Sequence, residues 1–157
     1  MKRDYYYHEM IGWIEICVEE NQLVRLEFLS FEGISEVTPL SIEVKLQLNE
    51  YFLGVRENFD MSKIPVLMSG TEFQQKCWNA LLKIPYAETC SYQEQAIKVG
   101  SPQGVRAVGG ANSKNPIAIL YPCHRVIGKN GKLTGFAGGL DIKERLLNFE
   151  KANSIRG

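Results

Sequence analysis

IAILYPCHRVI, residues 117–127, is the stretch from which the rest of the chain is best interpreted. Its first five residues are apolar, which predicts a buried strand. A proline ends the run, and Cys123, His124 and Arg125 follow at once before the apolar pattern resumes. Burying a thiol and an imidazole costs free energy unless the two groups have partners or a chemical task. The stretch therefore predicts a reactive site that is set into the protein core.

The composition is that of a folded protein with one domain or two small ones. The chain has 157 residues, of which 45% are hydrophobic, enough for a substantial core. Its start is polar and tyrosine-rich, without the apolar segment of a secretion signal, and no apolar run reaches membrane-spanning length. We therefore expect a soluble intracellular protein without membrane contact, cytoplasmic, or nuclear if the organism is a eukaryote.

Cysteine and histidine usage argues against two other classes of protein. The four cysteines are Cys17, Cys77, Cys90 and Cys123, and their spacing contains no CxxC pair. A disulfide framework is therefore not expected. The chain contains only two histidines, and a zinc site needs a cluster of ligands that the sequence lacks. We expect neither a metal nor a cofactor.

The formal net charge of zero conceals two halves of opposite sign. Residues 1–68 contain six basic and twelve acidic side chains, a charge of −6, whereas residues 69–157 contain twelve basic and six acidic ones, a charge of +6. An acidic half beside a basic half indicates two modules, of which the basic one suits a polyanion. The alternative is that charge varies along the chain without functional meaning.

The first half, residues 1–68, is predicted to be a small α/β scaffold domain. Residues 13–18 and 23–29 alternate around a polar turn, which predicts a β-hairpin. The Thr-Pro pair at residues 38–39 is a typical start of a helix, and apolar residues follow it at helical spacing. Residues 58–61 are interpreted as a further short strand. This half contains no constellation of reactive side chains.

The second half, residues 69–157, is predicted to be mostly helical. Two capping boxes, at residues 71–74 and 91–94, each begin a helix. A Gly-Ser-Pro turn at residues 100–102 is expected to begin a third helix directly. Two helices joined by so tight a turn resemble a helix-turn-helix.

The third helix has an unusual surface. Ala107, Gly109, Gly110 and Ala111 have almost no side chain, so this face can approach another surface closely, and Arg106 extends from it. Such a face suits a nucleic-acid groove, especially the minor groove, where arginine recognises width and potential. The alternative is close packing against another helix with Arg106 in solvent. The helix by itself favours neither interpretation.

A loop and a final helix follow the central stretch. An Asn-Gly pair at residues 130–131 predicts a hairpin turn, and residues 135–139 have the composition of a binding loop close to a ligand. Asp141 is expected to cap the last helix, and Glu150 falls on the apolar side of that helix. A carboxylate at the edge of the core needs a partner, for which His124 is the clear candidate.

Cys123, His124 and Glu150 together suit nucleophilic chemistry. A free cysteine has a pKa near 8.5, and full ionisation would raise its reactive fraction at neutral pH roughly 30-fold, equivalent to about 2 kcal/mol of barrier. Neighbours on a strand point to opposite faces, so Cys123 and His124 meet directly only if the chain bends; otherwise a water bridges them. Arg125 is expected to face a carboxylate or a phosphate, and the sequence does not distinguish the two.

Each of these residues also has a simpler interpretation. Cys123 can be a buried inert thiol, His124 a structural histidine with satisfied hydrogen bonds, and Glu150 a surface residue at a frayed helix end. All three simple interpretations must hold at once for the site to be absent.

A wider pattern resembles one protein family. The signature PCHRV at residues 122–126 is similar to that of the O6-alkylguanine-DNA alkyltransferases, also called methylated-DNA–protein-cysteine methyltransferases. The resemblance extends over about residues 70–150. Its matches, in order, are the segments 70–74, 84–85, 91–92, 106–112, 115–116 and 138–139, and Trp78. The first half resembles the family's N-terminal domain only in size and coarse pattern.

The resemblance implies direct DNA repair without a cofactor. An alkyl group such as methyl would pass irreversibly from O6-alkylguanine in DNA to Cys123, so that each molecule acts once. The sequence leaves open whether O4-alkylthymine is also a substrate. The partner would be double-stranded DNA that contains alkylated guanine, bound by a monomer. The fold would be α/β (α+β), with a small ribonuclease-H-like domain at 1–68 and a mostly helical, winged helix-turn-helix-like domain for DNA binding and alkyl transfer at 69–157.

The resemblance also implies a role for each site residue. His124 would act as a base through a bridging water, Glu150 would orient His124, and Asn115 would be a hinge beside the cysteine. Tyr92 would help to rotate the nucleotide and donate a proton to the departing guanine, and Arg106 would fill the gap left by the flipped nucleotide. The other residues expected to contact the DNA or the flipped base are Gln93, Ala107, Gly109, Gly110, Val126, Phe136 and Ala137.

Several positions depart from the family pattern. Ala87 replaces a frequent glycine, Gln95 occupies a usually apolar position, and Phe136 replaces a frequent tyrosine. Ala137 replaces a serine that some members have, which removes one possible hydrogen bond to the base. Tolerance of bulky groups such as benzyl is therefore left open.

Three rival functions remain at this point. An alkyltransferase-like protein that binds lesions without transfer would lack the reactive cysteine. A thiol hydrolase built on Cys123, His124 and Glu150 would turn over repeatedly and show no preference for DNA. A plain helix-turn-helix regulator would not need Cys123.

Overall fold

The computed structural model of the protein describes residues 1–136 and 138–156. The chain is a mixed α/β structure that divides into two compact units, Met1–Met68 and Ser69–Gly157. Each unit contains buried apolar side chains of its own. In the part of the chain that the structure describes, no helix is long and apolar enough to cross a membrane.

The first unit contains a three-stranded antiparallel sheet and a helix. Strands β1 (Lys2–His8), β2 (Gly12–Glu19) and β3 (Gln22–Leu29) are hydrogen-bonded in the order β1-β2-β3, and helix α1 spans Pro39–Phe52. The predicted hairpin is confirmed as β2 and β3. The sequence does not predict β1, because its charged side chains and its three consecutive tyrosines hide the alternation of a strand.

Helix α1 begins where its sequence predicts. Thr38 Oγ1 accepts a hydrogen bond from Ser41 N at 2.9 Å, and Ser41 Oγ accepts one from Thr38 N at 2.9 Å. Ser41 Oγ also donates to Asp4 Oδ2 at 2.8 Å, and Lys45 Nζ lies 2.7 Å from the same oxygen. The buried Asp4 carboxylate therefore ties the first two turns of α1 to β1.

The short strand expected at residues 58–61 is wrong. The structure has a 3₁₀ turn at Met61–Lys63, which the side chain of Asp60 caps. The amide of Gln47 binds the backbone here: its Oε1 accepts from Asp60 N at 2.8 Å, and its Nε2 donates to Asp60 O at 3.3 Å. Because a side chain satisfies both backbone groups of Asp60, this segment needs no partner strand.

The described residues of the second unit form four α-helices and a two-stranded parallel sheet. In chain order these elements are α2 (Glu72–Leu81), β4 (Cys90–Ser91), α3 (Tyr92–Lys98), α4 (Val105–Ser113), β5 (Val126–Ile127) and α5 (Leu140–Arg156). Both predicted capping boxes are confirmed, with Thr71 and Gln74 at the start of α2 and Ser91 and Glu94 at the start of α3.

Helices α2, α3 and α4 pack around a shared core. Cys77, Ala96, Val108 and Ala111 are buried together at its centre, so the predicted core position of Cys77 is confirmed. The Nε1 atom of Trp78 donates to Ala111 O at 2.8 Å and fixes α2 against α4. The third helix starts later than expected, at Val105 rather than at residues 101–102. Residues 101–104 instead form a turn, in which Gly104 N donates to Ser101 O at 2.8 Å.

The apolar stretch 117–121 is buried but is not a strand. Ile119 has a φ of 69°, and Leu120 N donates to Ala118 O at 2.8 Å, which describes a γ-turn of positive φ. The side chain of Asn115 takes over part of the backbone bonding: its Oδ1 accepts from Ile117 N at 3.0 Å, and its Nδ2 donates to Tyr121 O at 2.8 Å. Compact turns therefore bury these side chains where the sequence predicts a strand.

The segments on either side of residues 132–139 agree in part with expectation. Asn130 and Gly131 have φ values of 62° and 78°, as a turn of the predicted Asn-Gly kind requires, and Gly128 N donates to Lys132 O at 2.7 Å. The strand before this turn, β5, pairs with β4 rather than across the turn. Helix α5 begins at Leu140, one residue before the expected cap.

A buried pair of amides joins α3 to α4. Gln95 Nε2 donates to Asn112 Oδ1 at 3.0 Å and to Cys77 O at 3.1 Å, and Asn112 Nδ2 donates to Gln95 Oε1 at 2.7 Å. Gln95 is 1% exposed and Asn112 is 7% exposed. The reciprocal pair explains how a polar residue is accommodated at position 95, because each amide supplies the partner that the other needs.

Replacing Gln95 by leucine is expected to lower the free energy of unfolding by about 1–3 kcal/mol, because the Asn112 amide then lacks its buried partner. Adding Asn112→Met should recover much of this loss, since both polar groups are then removed together. Urea denaturation of the two single variants and the double variant measures the coupling. Purely additive losses would contradict the assignment of a coupled pair.

Candidate functional site

Cys123 begins a 3₁₀ turn, Cys123–Arg125, that follows directly on the buried residues 117–122. Its side chain is partly exposed, and Asn115 Nδ2 lies 3.3 Å from its Sγ atom. Burial raises the pKa of the Cys123 thiol, whereas the Asn115 hydrogen bond and the positive charge of Lys143 act in the opposite direction. At rest the residue is therefore a thiol, with an amide donor and a cation placed to favour its ionisation.

His124 and Glu150 form a fully buried pair. His124 Nε2 lies 2.8 Å from Glu150 Oε2, and both residues are 0% exposed. Burial lowers the pKa of His124 most strongly, and although Glu150 acts in the opposite direction the net shift is downward. A neutral imidazole beside a carboxylate must carry its proton on Nε2. His124 Nδ1 is then a lone-pair acceptor, and it is buried without a hydrogen-bond partner among the described residues.

The predicted partnership of His124 and Glu150 is thus present, and the chain bends at Cys123, so the geometric objection to a direct meeting of Cys123 and His124 does not apply in its simple form. That objection assumed a strand, on which neighbouring side chains point to opposite faces. In the 3₁₀ turn, neighbours are separated by about 120° around the axis because there are three residues per turn. The two side chains are therefore not forced to opposite faces of the chain.

Arg125 faces a carboxylate, which settles the alternative that the sequence leaves open. Its Nε donates to Glu150 Oε1 at 2.9 Å and its Nη2 donates to Glu150 Oε2 at 3.1 Å, a two-pronged ion pair. Its Nη1 donates to Ile84 O at 2.8 Å, and the guanidinium lies 5.6 Å from the ring centre of Tyr86. Burial alone would raise the pKa of Glu150, but the hydrogen bonds from His124 and Arg125 and the guanidinium charge lower it to about 2.

Lys143 is a further site residue that was not predicted from the sequence. It is 0% exposed, its Nζ donates to Thr134 O at 2.9 Å, and it lies 5.8 Å from the ring centre of Tyr92. Burial lowers its pKa, and the negative charge of an ionised Cys123 acts in the opposite direction. A signal was available: Lys143 precedes Glu150 by seven residues, so both lie on the same buried side of α5.

Tyr92 lies beside the loop that follows β5. Its hydroxyl donates to Thr134 O at 3.3 Å, so Tyr92 and Lys143 share one acceptor. An open groove of about 270 Å³ runs between α3, α4 and this loop. It is lined by Tyr92, Val105, Gly109, Ser113, Thr134 and Gly135.

Most of the small residues of α4 are at the surface. Arg106, Ala107 and Gly110 are exposed, and Gly109 is half-exposed beside the Tyr92 ring. The helix packs on its neighbours through its opposite side, where Val108 and Ala111 are buried. Ala107 and Gly110 are therefore available to an external surface. Ala111, which the sequence places on the same face, instead packs in the core between the helices, so the prediction of an open face is wrong for Ala111 and the close-packing alternative holds there.

The remaining predicted contact residues lie around these elements. Gln93 is exposed and donates from Nε2 to Pro102 O at 3.1 Å, which holds the turn between α3 and α4. Val126 is buried, and its backbone N donates to Cys123 O. Phe136 is half-buried in the loop, with its carbonyl accepting from Gly139 N at 2.9 Å. Ala137 lies outside the described residues.

The structure therefore assembles some predicted residues and leaves others apart. Cys123 and Asn115 are in contact, and so are His124 and Glu150. Tyr92 and Lys143 share the Thr134 carbonyl, and the charge of Lys143 acts on the Cys123 thiol. Arg106, Ala107 and Gly110 form a separate exposed face on α4. Among residues 1–136 and 138–156, no group of three or more histidine, cysteine or acidic side chains is arranged to hold a metal ion.

Comparison with known sequences places this site in a family. Residues 72–152 match the model of the DNA binding domain of 6-O-methylguanine DNA methyltransferase. The methylated-DNA–protein-cysteine methyltransferase of Methanosarcina mazei is 55% identical over 94% of this chain and 98% of its own length. The constitutive enzyme of that name from Bacillus subtilis is 47% identical over 90% of both chains.

Solved structures give the same assignment. The crystal structure of Mycobacterium tuberculosis OGT in complex with DNA superimposes with a TM-score of 0.88 and 40% identity, covering 98% of this chain and 94% of that one. The O6-methylguanine-DNA methyltransferase of Pyrococcus kodakaraensis shares the fold, with a TM-score of 0.70 at 21% identity. The predicted fold class is thus confirmed, and the chain belongs to the methylated-DNA–protein-cysteine methyltransferase family.

Proposed function

We propose that this protein repairs alkylated DNA directly, by moving the alkyl group of O6-alkylguanine to Cys123 in a single irreversible transfer. The observation that carries the proposal is the arrangement around the thiol: Asn115 donates to Sγ, and the neighbouring His124 presents a free, buried Nδ1 while Glu150 holds its other nitrogen. Such a set serves a thiol that must ionise only when substrate arrives.

The proposed reaction is a displacement at the alkyl carbon. A bond forms between Cys123 Sγ and that carbon while the bond between the carbon and O6 breaks. The thiol proton passes through a bridging water to His124 Nδ1. The leaving guanine takes a proton from Tyr92, and the proton accepted by His124 balances this loss. The product is a thioether, which has no good leaving group, so the thiol is not regenerated.

The DNA side of the proposal uses the exposed face of α4. Ala107 and Gly110 allow the helix to approach the minor groove closely, and Arg106 enters the stack where the nucleotide leaves it. Gln93 and Gly109 border this face, and Tyr92 stands at the groove through which the flipped base passes. The backbone at Val126 and the loop with Phe136 form the proposed base pocket.

The setting of the proposed reaction follows from its substrate. A monomer suffices, because the thiol, the base and the exposed helix all belong to one chain. The protein would act where the chromosome is, in the cytoplasm of a prokaryote or the nucleus of a eukaryote. The acidic first unit serves as a scaffold in this proposal, and alkyl transfer is assigned to residues 69–157.

The test is a mass measurement on the protein. After incubation with a duplex that contains one O6-methylguanine, the peptide with Cys123 is expected to gain one CH₂ unit, with at most one transfer per protein molecule. A duplex with plain guanine is the control. An unmodified peptide beside an intact lesion would refute transfer and favour lesion binding alone. Repeated turnover with an unmodified protein would favour the thiol hydrolase.

A further inference from the structure

The carboxylate of Glu150 accepts more hydrogen bonds than the one that is needed to orient His124. Its two oxygens accept from His124 Nε2, from Arg125 Nε and Nη2, and from the backbone N of Ala87 at 3.2 Å. Glu150 and His124 are fully buried, and Arg125 is 6% exposed. The site thus places a full positive charge directly on the carboxylate that holds the imidazole.

This extra charge matters because a buried carboxylate by itself favours the protonated form of a neighbouring histidine. A fork-shaped guanidinium on both oxygens cancels much of that influence, since it presents an equal and opposite charge at hydrogen-bonding distance. The charged groups that act on His124 are Glu150 and Lys143 from α5 and Arg125 from its own turn. Helix α2, which also packs on this turn, buries Cys77, Trp78 and Leu81 on its inner side.

The protonation state decides whether the site can react. A thiol and a neutral imidazole hold one transferable proton, which can equally reside on the imidazole with the sulfur ionised. Both forms belong to one reactive state. A thiol beside an imidazolium carries two protons, and this state is inactive because neither group can accept the proton that Cys123 must lose.

We propose that Arg125 is a positioning residue for alkyl transfer: by neutralising Glu150 it keeps His124 uncharged at rest, so that Nδ1 is free to accept the thiol proton. This role rests on the proposed function of the site. It differs from a merely structural role, in which Arg125 only anchors the chain through Ile84 O and the Tyr86 ring.

Two variants separate the charge of Arg125 from its shape. Arg125→Met removes the charge and keeps a long side chain, whereas Arg125→Lys keeps a charge without the fork. Single-turnover transfer from O6-methylguanine duplex is measured for each between about pH 5.5 and 8.5. For Arg125→Met the pH below which the rate falls should rise by about one unit. The rate at low pH should therefore fall about tenfold more than the rate at high pH. Arg125→Lys should leave the profile close to that of the unmodified chain.

A direct readout follows His124 itself and does not depend on activity. The chain has only two histidines, so ring resonances are assigned with a His8→Gln variant. In the protein with Arg125 in place, His124 should remain neutral, with its proton on Nε2, to below pH 6.5. In Arg125→Met it should titrate at higher pH. Because this measurement uses the protein without a substitution at position 125, it tests the charge state of His124 even if Arg125→Met does not fold.

The outcomes are distinct. A charged His124 at neutral pH in the unmodified protein, or a uniform loss of rate at every pH in Arg125→Met, would overturn the role of Arg125. A protein that transfers no methyl group at any pH would refute the proposed function, and the resonance titration would still decide the charge state of His124.

Discussion

The Cys123→Ala variant is expected to lose alkyl transfer completely while it still binds duplex DNA that contains O6-methylguanine. The loss of rate should be on the order of 10⁴-fold or more, because the sulfur supplies the electron pair of the new bond and no other group can replace it. Binding should persist, because the exposed residues of α4 and the groove beside Tyr92 are unchanged. Mass spectrometry measures transfer, and fluorescence anisotropy of a labelled duplex measures binding.

Cys90→Ala is the matched control for this experiment. Cys90 belongs to the same unit and is also a free thiol, but it is buried in β4, and burial raises its pKa. Its replacement should leave transfer intact. Methylation that persists in Cys123→Ala would assign the nucleophile to another residue. Loss of binding together with transfer would show that the thiol and the DNA contacts are not separable in the way proposed.

The Glu150→Gln variant is expected to lower the free energy of unfolding by about 3–5 kcal/mol at neutral pH, because it leaves the buried Arg125 guanidinium without its counter-charge. It should also slow transfer strongly, since a neutral amide no longer holds the protonated Nε2 of His124 as a carboxylate does. Glu144→Gln is the matched control: Glu144 is exposed on the same helix, and its replacement should change the free energy of unfolding by less than about 0.5 kcal/mol.

Acid should reduce the difference between Glu150→Gln and the unmodified chain. The pKa of Glu150 lies at about 2 in the folded protein, below its usual value of 4.5. A carboxyl group whose pKa is lowered by folding contributes stability above its unfolded pKa and loses it as the pH falls towards the folded value. Urea denaturation should therefore show a large difference at neutral pH that shrinks from about pH 4.5 downwards. A difference that is independent of pH in this window would contradict the ion-pair assignment.

Signals that act within a few residues were predictable from the sequence. The capping boxes at 71–74 and 91–94 place the starts of α2 and α3 correctly, since their hydrogen bonds are made between residues three apart. The pairing of Glu150 with His124 was also predictable, because a carboxylate on an apolar helix side must find a partner and the chain has few candidates.

The conformation of the apolar stretch before Cys123 could not be predicted from its hydrophobic pattern. Its composition is that of a strand, yet Ile119 adopts a positive φ that costs of order 1–3 kcal/mol for a residue of its kind. Burial of its neighbours and the side-chain bonds of Asn115 stabilise this conformation. Neither contribution is visible in the order of apolar and polar residues.

Charge placement inside the site was decided at longer range. Arg125 could face a phosphate or a carboxylate, and only the packing of α5 against its turn shows that the partner is Glu150. Lys143 looks like a surface lysine in sequence, yet the Thr134 carbonyl and the Tyr92 ring hold its ammonium group. Both cases depend on side chains that are distant in the chain.

The sequence by itself determined the nucleophile candidate, the helix-turn-helix region and the partner of His124, because motif spacing and local hydrogen bonding carry that information. Only the tertiary structure decided that the thiol stands at a 3₁₀ turn, that His124 keeps Nδ1 free, and that Glu150 is neutralised by Arg125. These properties arise from burial and from charges brought together across the fold, and burial and electrostatic balance are set by the whole packed structure rather than by any one segment.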